Sequence, residues 1–290
     1  MLQPTPRQAV AKASAPSSAR AEIAFGRGPG GETFIRRQFA AYPFHVCRPH
    51  SFAGDPPGMV TLYLQSLSGG IYEHERLSLS LAAEPGARVH VTSQASTIVQ
   101  SMQGGQARLD ASLEAREGAL VEYMPDPLIL FPDADLATTL TLRWHEDAKV
   151  ILADAFLAHD PEGAGRVFSM LDSRLDIETP EGRLLARDRF VLSGEAHKDR
   201  LSSEAGGGGA LGTLVVITGP DGLAPMLAAV RGALEDQPGT YAGASVLPKD
   251  CGIRARLLSA DGAALRRAMQ AAWAAAREVI TGAPPPERRK

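Results

Sequence analysis

Two histidines and a cysteine occur within six positions of the stretch FHVCRPHSF. Imidazole and thiolate groups are ligands that Zn²⁺ and Ni²⁺ accept, so His45, Cys47 and His50 could contact a metal. If the stretch is a strand, His45 and Cys47 share one face, and the proline before His50 turns that residue away. A closed structural site needs further ligands. The spacing therefore favours a strand with Phe44 and Val46 buried and no metal held by the three residues together, with a β-rich metal-binding module as the alternative.

Acidic residues between predicted strands are a second group that could do chemistry. Glu73 and Glu75 lie in YEHER, and Asp160 lies in LAHDPEG. A glycosidase uses two carboxylates that flank the scissile bond, so these three residues are the candidates for a carboxylate-dependent, glycosidase-like enzyme. Polar loops also carry acids that have no catalytic role. The enzyme therefore stays an alternative that needs converging carboxylates.

A glycine-rich stretch, GRGPGG at residues 26–31, has the G-x-G-x-x-G spacing of a dinucleotide-binding loop. That loop must lead into a helix, but the following ETFIRRQF has β character. We expect a glycine turn instead. The sequence also has no GxxxxGK[ST], GxSxG or HExxH motif, which removes the usual signs of a P-loop NTPase, an α/β-hydrolase or a zincin.

Composition and charge limit the possible partners. The net charge of −3, from 30 basic and 33 acidic residues, offers no basic field for nucleic acid. No apolar run approaches the roughly 18 residues that cross a bilayer, and the N-terminal stretch lacks the apolar region of a secretory signal. We expect a soluble, cytoplasmic protein without nucleic-acid or membrane partners. Cys47 and Cys251 are distant in sequence, so both are predicted to be free thiols.

The elements that must position these residues are mainly strands. Apolar residues alternate on both sides of turns near Gly86, Gly118, Asp147 and Gly182, and this period of two predicts β-hairpins with one buried face. Residues 21–205 are therefore expected to form stacked β-hairpin layers, a β-helix-like or superhelical sandwich. Residues 1–20, rich in Ala, Ser and Pro, are expected to be a flexible tail.

The C-terminal part, residues 206–290, has a different pattern. Its apolar spacing predicts the order β-α-β-β-α, with two helices, and the glycines at residues 206–209 are expected to be a flexible joint. Asp261 is the predicted N-cap of the last helix, and Gly282 ends it before three prolines. The fold class is therefore mainly β with a C-terminal α+β part. The last helix is expected to bury one face, made of Leu265, Met269, Ala272, Trp273, Ala276 and Ile280.

The stretch GGIYEHERLSLSLAAEPGARVHVTSQASTIVQS resembles the signature region of the urease accessory protein family UreD, also called UreH. GALVEYMPDPLILF is similar to the next landmark of that family, and the last helix carries its Trp-x-x-x-Arg pair. PFHVCRP resembles a family strand whose pattern omits His45, Cys47 and His50. The matching residues include Gly69, Gly70, Thr92, Gln94, Glu122, Tyr123, Pro125, Trp273 and Arg277, with Glu75 at an acidic position of the family.

The resemblance implies a non-catalytic scaffold in urease maturation. Members of the family bind UreF and the GTPase UreG, dock on the urease apoprotein, and pass nickel inward without holding it tightly. It implies that the ten residues just named serve partner binding or the nickel path, with Glu75 and Glu122 as the acids nearest that path. Several loop positions depart from the family, namely His74, Ile98, His159, Asp160 and Arg166. These changes fit either a specialised urease system or a lost function.

Overall fold

The computed structural model describes residues 18–204 and 209–288, and for residues 200–204 it describes the backbone alone. Three helices, α1 (Gly194–Glu204), α2 (Leu223–Leu234) and α3 (Gly262–Thr281), accompany seventeen strands in this part of the chain. The strands are β1 (Ser18–Arg27), β2 (Thr33–Ala40), β3 (Phe44–Val46), β4 (Val60–Ser66), β5 (Arg76–Ala83), β6 (Arg88–Ser93), β7 (Thr97–Val99), β8 (Ala107–Ala115), β9 (Leu120–Tyr123), β10 (Leu128–Leu130), β11 (Asp135–Trp144), β12 (Lys149–Ala158), β13 (Met170–Glu178), β14 (Leu184–Ser193), β15 (Ala210–Ile217), β16 (Thr240–Val246) and β17 (Gly252–Ser259).

The strands form two facing sheets, which we call the first and the second sheet. Within the described residues the first sheet has the order β14-β13-β11-β8-β5-β1-β2. The second has the order β16-β17-β15-β12-β9-β6-β4-β3, with β7 and β10 attached at its side. The expected class, mainly β in stacked layers, is confirmed. Residues 28–32 join β1 to antiparallel β2, so the glycine-rich stretch begins in β1 and makes the predicted turn.

Strand pairing within a layer differs from the hairpin prediction. β5 and β6, which flank the turn at Gly86, lie in different sheets, and each pairs in parallel with its counterpart in the next layer. The same holds for β8 and β9. β11 and β12 also lie in different sheets, but only β11 pairs in parallel with the next layer, through β13, whereas β12 pairs antiparallel with β15. Alternating apolar residues fit this arrangement equally well, because a strand of a sandwich also buries one face. The turn at Gly182 does join a hairpin, β13 with antiparallel β14.

The main core lies between the two sheets. Phe25, Leu81 and Leu142 from the first sheet meet Leu62 and Val91 from the second, and all five side chains are buried. Their inward positions follow from the period of two along each strand. Outward positions of the first sheet carry mainly Ser, Thr and charged residues, together with exposed Phe34, Phe39 and Val191 on its two end strands.

The C-terminal part continues the second sheet. β15 pairs antiparallel with β12, so the sheet runs from the layered region into β17 and β16. The order β15-α2-β16-β17-α3 matches the prediction. Helices α2 and α3 pack on the outer face of this sheet and form a second core with Ile151, Leu214 and Ile253. Residues 205–208, which include most of the expected flexible joint, lie outside the described residues.

Helix α3 follows its sequence signals closely. The side chain of Asp261 accepts a hydrogen bond of 2.7 Å from the backbone N–H of Ala264, and Gly282 ends the helix with a φ of 81°. The predicted face is buried, apart from half-buried Ile280. Helix α1 was not predicted. β1 begins at Ser18, three residues before the expected boundary, and residues 1–17 of the expected tail lie outside the described part.

The opening stretch forms β3, a three-residue strand at the edge of the second sheet. Phe44 and Val46 are half-buried rather than buried, because an edge strand is covered on one side only. His45 is exposed on the opposite face, Cys47 is half-buried, and both cysteines are free thiols as predicted. No helix of the described residues is long and apolar enough to cross a membrane.

Candidate functional site

A surface groove lies between the loops that follow β4 and β6. Its walls come from residues 64–70 and 93–98, and they include Gly69, Gly70 and Gln94. The groove has a volume of about 570 Å³, and none of its lining residues carries a charge. Two apolar side chains on this side of the molecule, Tyr42 and Leu67, are 69% and 58% exposed. The groove is therefore an uncharged depression with exposed apolar side chains nearby, which is a typical composition for a protein contact.

Gly70 is required by the shape of this groove. Its φ of 138° lies in a region that side chains rarely adopt, and a Cβ at this position would lie 2.4 Å from the carbonyl oxygen of Ile98. That carbonyl accepts a 2.7 Å hydrogen bond from Ile71 N–H, and the amide nitrogen of Gln100 donates to Gly69. The close approach of the two loops therefore depends on glycine.

The groove leads into a cavity between the two sheets, which we call the interior cavity. It has a volume of about 100 Å³ and is lined mainly by apolar residues, together with Thr92, Tyr123 and Pro125. It shares residues of β4, Ser93 and Thr97 with the groove, so the two spaces adjoin. The Thr92 hydroxyl donates a 2.7 Å hydrogen bond to the carbonyl of Met124, which ties the ends of β6 and β9 together.

Asp154 lies further along the space between the sheets. Tyr123 pairs with Leu152 in β12, and Asp154 lies two residues beyond on the same face. Ser173 of the opposite sheet donates a 3.0 Å hydrogen bond to the Asp154 carboxylate, and both residues line a small cavity of about 20 Å³. Burial raises the pKa of Asp154 to about 6, against the lowering effect of Ser173 and Arg256. Burial and the Asp154 charge raise the pKa of Tyr123.

Glu122 is held on the outer face of the second sheet by helix α3. The Arg277 guanidinium donates to both of its carboxylate oxygens, with an Nε to Oε1 distance of 2.7 Å. His90 Nδ1 lies 2.7 Å from the other oxygen. Burial alone would raise the pKa of Glu122, but these hydrogen bonds outweigh it and lower the pKa to about 2. Glu122 is therefore an ion-pair acceptor whose oxygens are already occupied.

His90 and Trp273 extend this buried cluster. Burial lowers the pKa of His90, against the raising effect of Glu122, so the imidazole is neutral and its Nδ1–H donates to the carboxylate. The rings of His90 and Trp273 stack with centroids 4.9 Å apart. The Arg277 and Arg288 guanidinium groups lie 5.1 and 5.2 Å from the Trp273 ring centroid, within cation–π distance. Trp273 and Arg277 therefore lie beneath the surface, where they support the packing of helix α3 on the second sheet.

Asp55 joins the C-terminal end of the chain to the cluster. One of its carboxylate oxygens accepts from Arg277 at 2.5 Å and from Arg288 at 2.6 Å. Its side chain is 2% exposed, as expected for a charge that is paired. Asp55, His90 and Arg288 were not singled out in the sequence. A signal existed for His90, because RVHVT places it on the face opposite Val89 and Val91, where it must contact a covering element.

Other predicted residues lie apart from these spaces. Glu75 accepts a 3.0 Å hydrogen bond from Tyr72 N–H in the loop before β5, and Glu73 accepts from Gln103 and Gly105. Asp160 accepts from its own loop. None of these acids lines the groove or the cavities described above. Among the side chains that the structure describes, those of residues 18–199 and 209–288, no group of three or more His, Cys, Asp and Glu is arranged to hold a metal.

Asp154 is a further buried polar residue that was not predicted from the sequence. In KVILADAFLA the alternation places Val150, Leu152, Asp154 and Phe156 on one face, so an acid interrupts an inward apolar series. That interruption was a usable signal for a polar group inside the sandwich.

Comparisons with known proteins give a consistent family. A family model described as "UreD urease accessory protein" matches residues 17–290. The chain is 40% identical over 270 residues to "Urease accessory protein UreD 1" of Pseudomonas syringae pv. syringae, covering 93% of this chain and 95% of the relative. It is also 40% identical over 290 residues to "Urease accessory protein UreD 1" of Methylorubrum populi, covering 99% and 97%.

Proposed function

The chain belongs to the UreD family of urease accessory proteins, and we propose that it serves urease maturation as a non-catalytic scaffold. In this proposal it binds UreF and UreG, docks on the urease apoprotein, and passes nickel along the space between its two sheets. Family membership supports the role in maturation. One observation supports the finer part: the uncharged groove, the interior cavity and the Tyr123–Asp154 region follow one another through the sandwich.

The groove supports the docking part of the proposal. Its walls contain Gly69, Gly70 and Gln94 and carry no charge, and a partner can cover such a surface without desolvating ionised groups. The exposed side chains of Tyr42 and Leu67 add apolar area. A protein with such a surface tends to self-associate when its partner is absent. We expect low solubility for the isolated chain and higher solubility when UreF is co-expressed.

The interior supports transfer rather than storage. A donor set that held nickel strongly would oppose its delivery, whereas single oxygen donors spaced along a path allow exchange with water. Tyr123, Asp154 and Ser173 supply such isolated oxygens between the sheets. Arg277 occupies both carboxylate oxygens of Glu122, so Glu122 supports the fold in this proposal. The chain itself needs no tightly bound cofactor, because the nickel is only in transit.

Co-expression with a urease operon tests the scaffold role. Urease activity and the nickel content of purified urease are measured with the chain present, absent, or replaced by a variant. We expect both quantities to fall when the chain is absent. Activity that is indifferent to its removal would overturn the assignment to urease maturation.

A matched pair of variants tests the path. Asp154→Asn removes the charge between the sheets, and Asp110→Asn removes an exposed charge of the first sheet that pairs with Arg108. Co-purification of UreF, UreG and urease is scored in parallel. The proposal expects intact complexes for both variants and less nickel delivered by Asp154→Asn alone. Equal delivery by the two variants would remove the path while leaving the scaffold role.

A further inference from the structure

A third cavity lies between helix α3 and the outer face of the second sheet, and we call it the helix cavity. It has a volume of about 320 Å³ and is lined by Met124, Met269, Gln270 and Trp273, among others. It shares Thr92, Pro125 and Asp126 with the interior cavity. The two cavities therefore meet beyond the ends of β6 and β9, and the helix cavity is a second way to the space between the sheets.

The chain after α3 folds back over this cavity. Residues 282–288, which we call the strap, leave the helix at Gly282 and end the described chain at Arg288. Glu287 and Arg288 line the helix cavity, and Pro286 lies beside Gly54, where an added Cβ would be in ordinary van der Waals contact with its ring at 3.5 Å. The strap therefore forms part of the cavity wall.

The strap combines one conformationally free residue with a stiff segment. Gly282 has a φ of 81°, and glycine changes its backbone angles at little cost. Three prolines follow at residues 284–286, and consecutive prolines form a stiff, extended segment without backbone N–H donors. A rotation at Gly282 would therefore move the strap as one body.

A charged side chain at the far end of the strap holds it against the cavity. Arg288 Nη2 donates to Asp55 at 2.6 Å, and its guanidinium lies over the rings of Trp273 and Phe52. Arg277 shares the same Asp55 oxygen, so Asp55 keeps a partner when Arg288 leaves. Opening therefore costs one ion pair, two ring contacts and a 3.4 Å hydrogen bond from Arg288 Nε to the Thr61 hydroxyl, and it leaves Asp55 paired with Arg277.

We propose that residues 282–288 are a lid on the helix cavity, hinged at Gly282 and closed by Arg288, which controls access to the interior from the side of α3. The lid itself follows from the geometry alone. Its bearing on nickel passage rests on the proposed function, so its test uses a signal that is independent of urease.

Tryptophan fluorescence provides that signal, since the sequence has two tryptophans. Trp273 lies beneath Arg288 and is 5% exposed, whereas Trp144 donates to Ala148 in the loop between β11 and β12. In a Trp144→Phe background the emission reports Trp273 alone. We expect Arg288→Ala to shift the emission to longer wavelength and to raise acrylamide quenching at least twofold, and Arg288→Lys to remain close to the parent.

Two further variants complete the design. Arg266→Ala is the control, because Arg266 lines the same cavity from the exposed side of α3. It should leave quenching unchanged. A chain that stops after Gly282 lacks the lid and should show the same red shift and increased quenching. It therefore tests the proposal even if Arg288→Ala folds poorly. Circular dichroism identifies the folded variants. Folded Arg288→Ala and truncated chains in which Trp273 is as shielded as in the parent would overturn the proposal.

Discussion

Glu122 and Arg277, 155 positions apart in the sequence, form a buried two-point ion pair between β9 and helix α3. Both side chains have no exposed surface. The pair joins the layered region to the C-terminal part at a point where His90, Asp55 and Trp273 also meet. It therefore fixes how the last helix lies over the sheet, and with it the shape of the helix cavity.

Breaking this pair should be costly to stability. Arg277→Ala leaves the Glu122 carboxylate buried with His90 as its remaining partner, and losing one member of a buried pair costs about 3–5 kcal/mol. Urea unfolding of the purified chain measures the change in the free energy of unfolding. Arg143→Ala is the matched control, because Arg143 lies 3.9 Å from Glu178 and is 62% exposed, so it should cost less than about 1 kcal/mol. Equal effects would contradict the assigned role.

Asp154 should make stability depend on pH in a defined direction. Its folded pKa of about 6 lies above the value of 3.8 for an unperturbed Asp, so the folded state favours the protonated acid. The resulting stability is present below pH 3.8 and is lost as the pH rises through 6. Groups near the carboxyl are Ser173, Arg256 and Asp188.

The measurement compares Asp154→Asn with the parent by urea unfolding of metal-free protein at pH 4.5 and pH 8. Asn cannot ionise, so the variant should gain about 1–3 kcal/mol relative to the parent between the two pH values. A relative stability that does not change with pH would show that the carboxyl titrates as an ordinary Asp.

Gly70→Ala should deform the groove. Its Cβ would lie 2.4 Å from a backbone oxygen that is fixed by a hydrogen bond, so the two loops must separate. Gly104→Ala is the control, since Gly104 also has a positive φ of 103° but meets no atom within 4 Å. Binding of UreF, measured by co-purification, should fall for Gly70→Ala and stay near the parent level for Gly104→Ala. The reverse order would place the docking surface elsewhere.

His45, Cys47 and His50 should matter less for urease activation than Glu75, which lies at an acidic position of the family. Cys47→Ala should leave urease activation close to the parent level, because His45 is exposed, Cys47 is half-buried and no metal-ligating group of three forms there within the described residues. Glu75→Ala should lower activation by releasing Tyr72 and loosening the loop beside the groove. Urease activity in a co-expression assay checks both variants. Nickel binding that Cys47→Ala abolishes would indicate a metal site instead.

The fold was largely readable from local patterns. Period-two alternation identified the strands of each layer, and the Asp261 cap and Gly282 stop defined α3, because side-chain alternation and capping depend on near neighbours. Strand pairing was not readable. Two successive strands that each bury one face can pair with each other as a hairpin or lie in two facing sheets. Which of these forms depends on the strands of the next layer with which they pair.

The candidate site was likewise predictable from the sequence only in part. The sequence by itself determined the stacked β layers, the amphipathic last helix and, by its landmarks, the UreD family, with Gly70 and Glu122 among the matched residues. Only the tertiary structure decided that Glu122 is bound by Arg277, that Asp55 accepts from both Arg277 and Arg288, and that Asp154 lies between the sheets opposite Ser173. Burial, ion pairing and pKa depend on distances between residues far apart in the chain. Local composition and spacing do not contain those distances, so packing alone sets these properties.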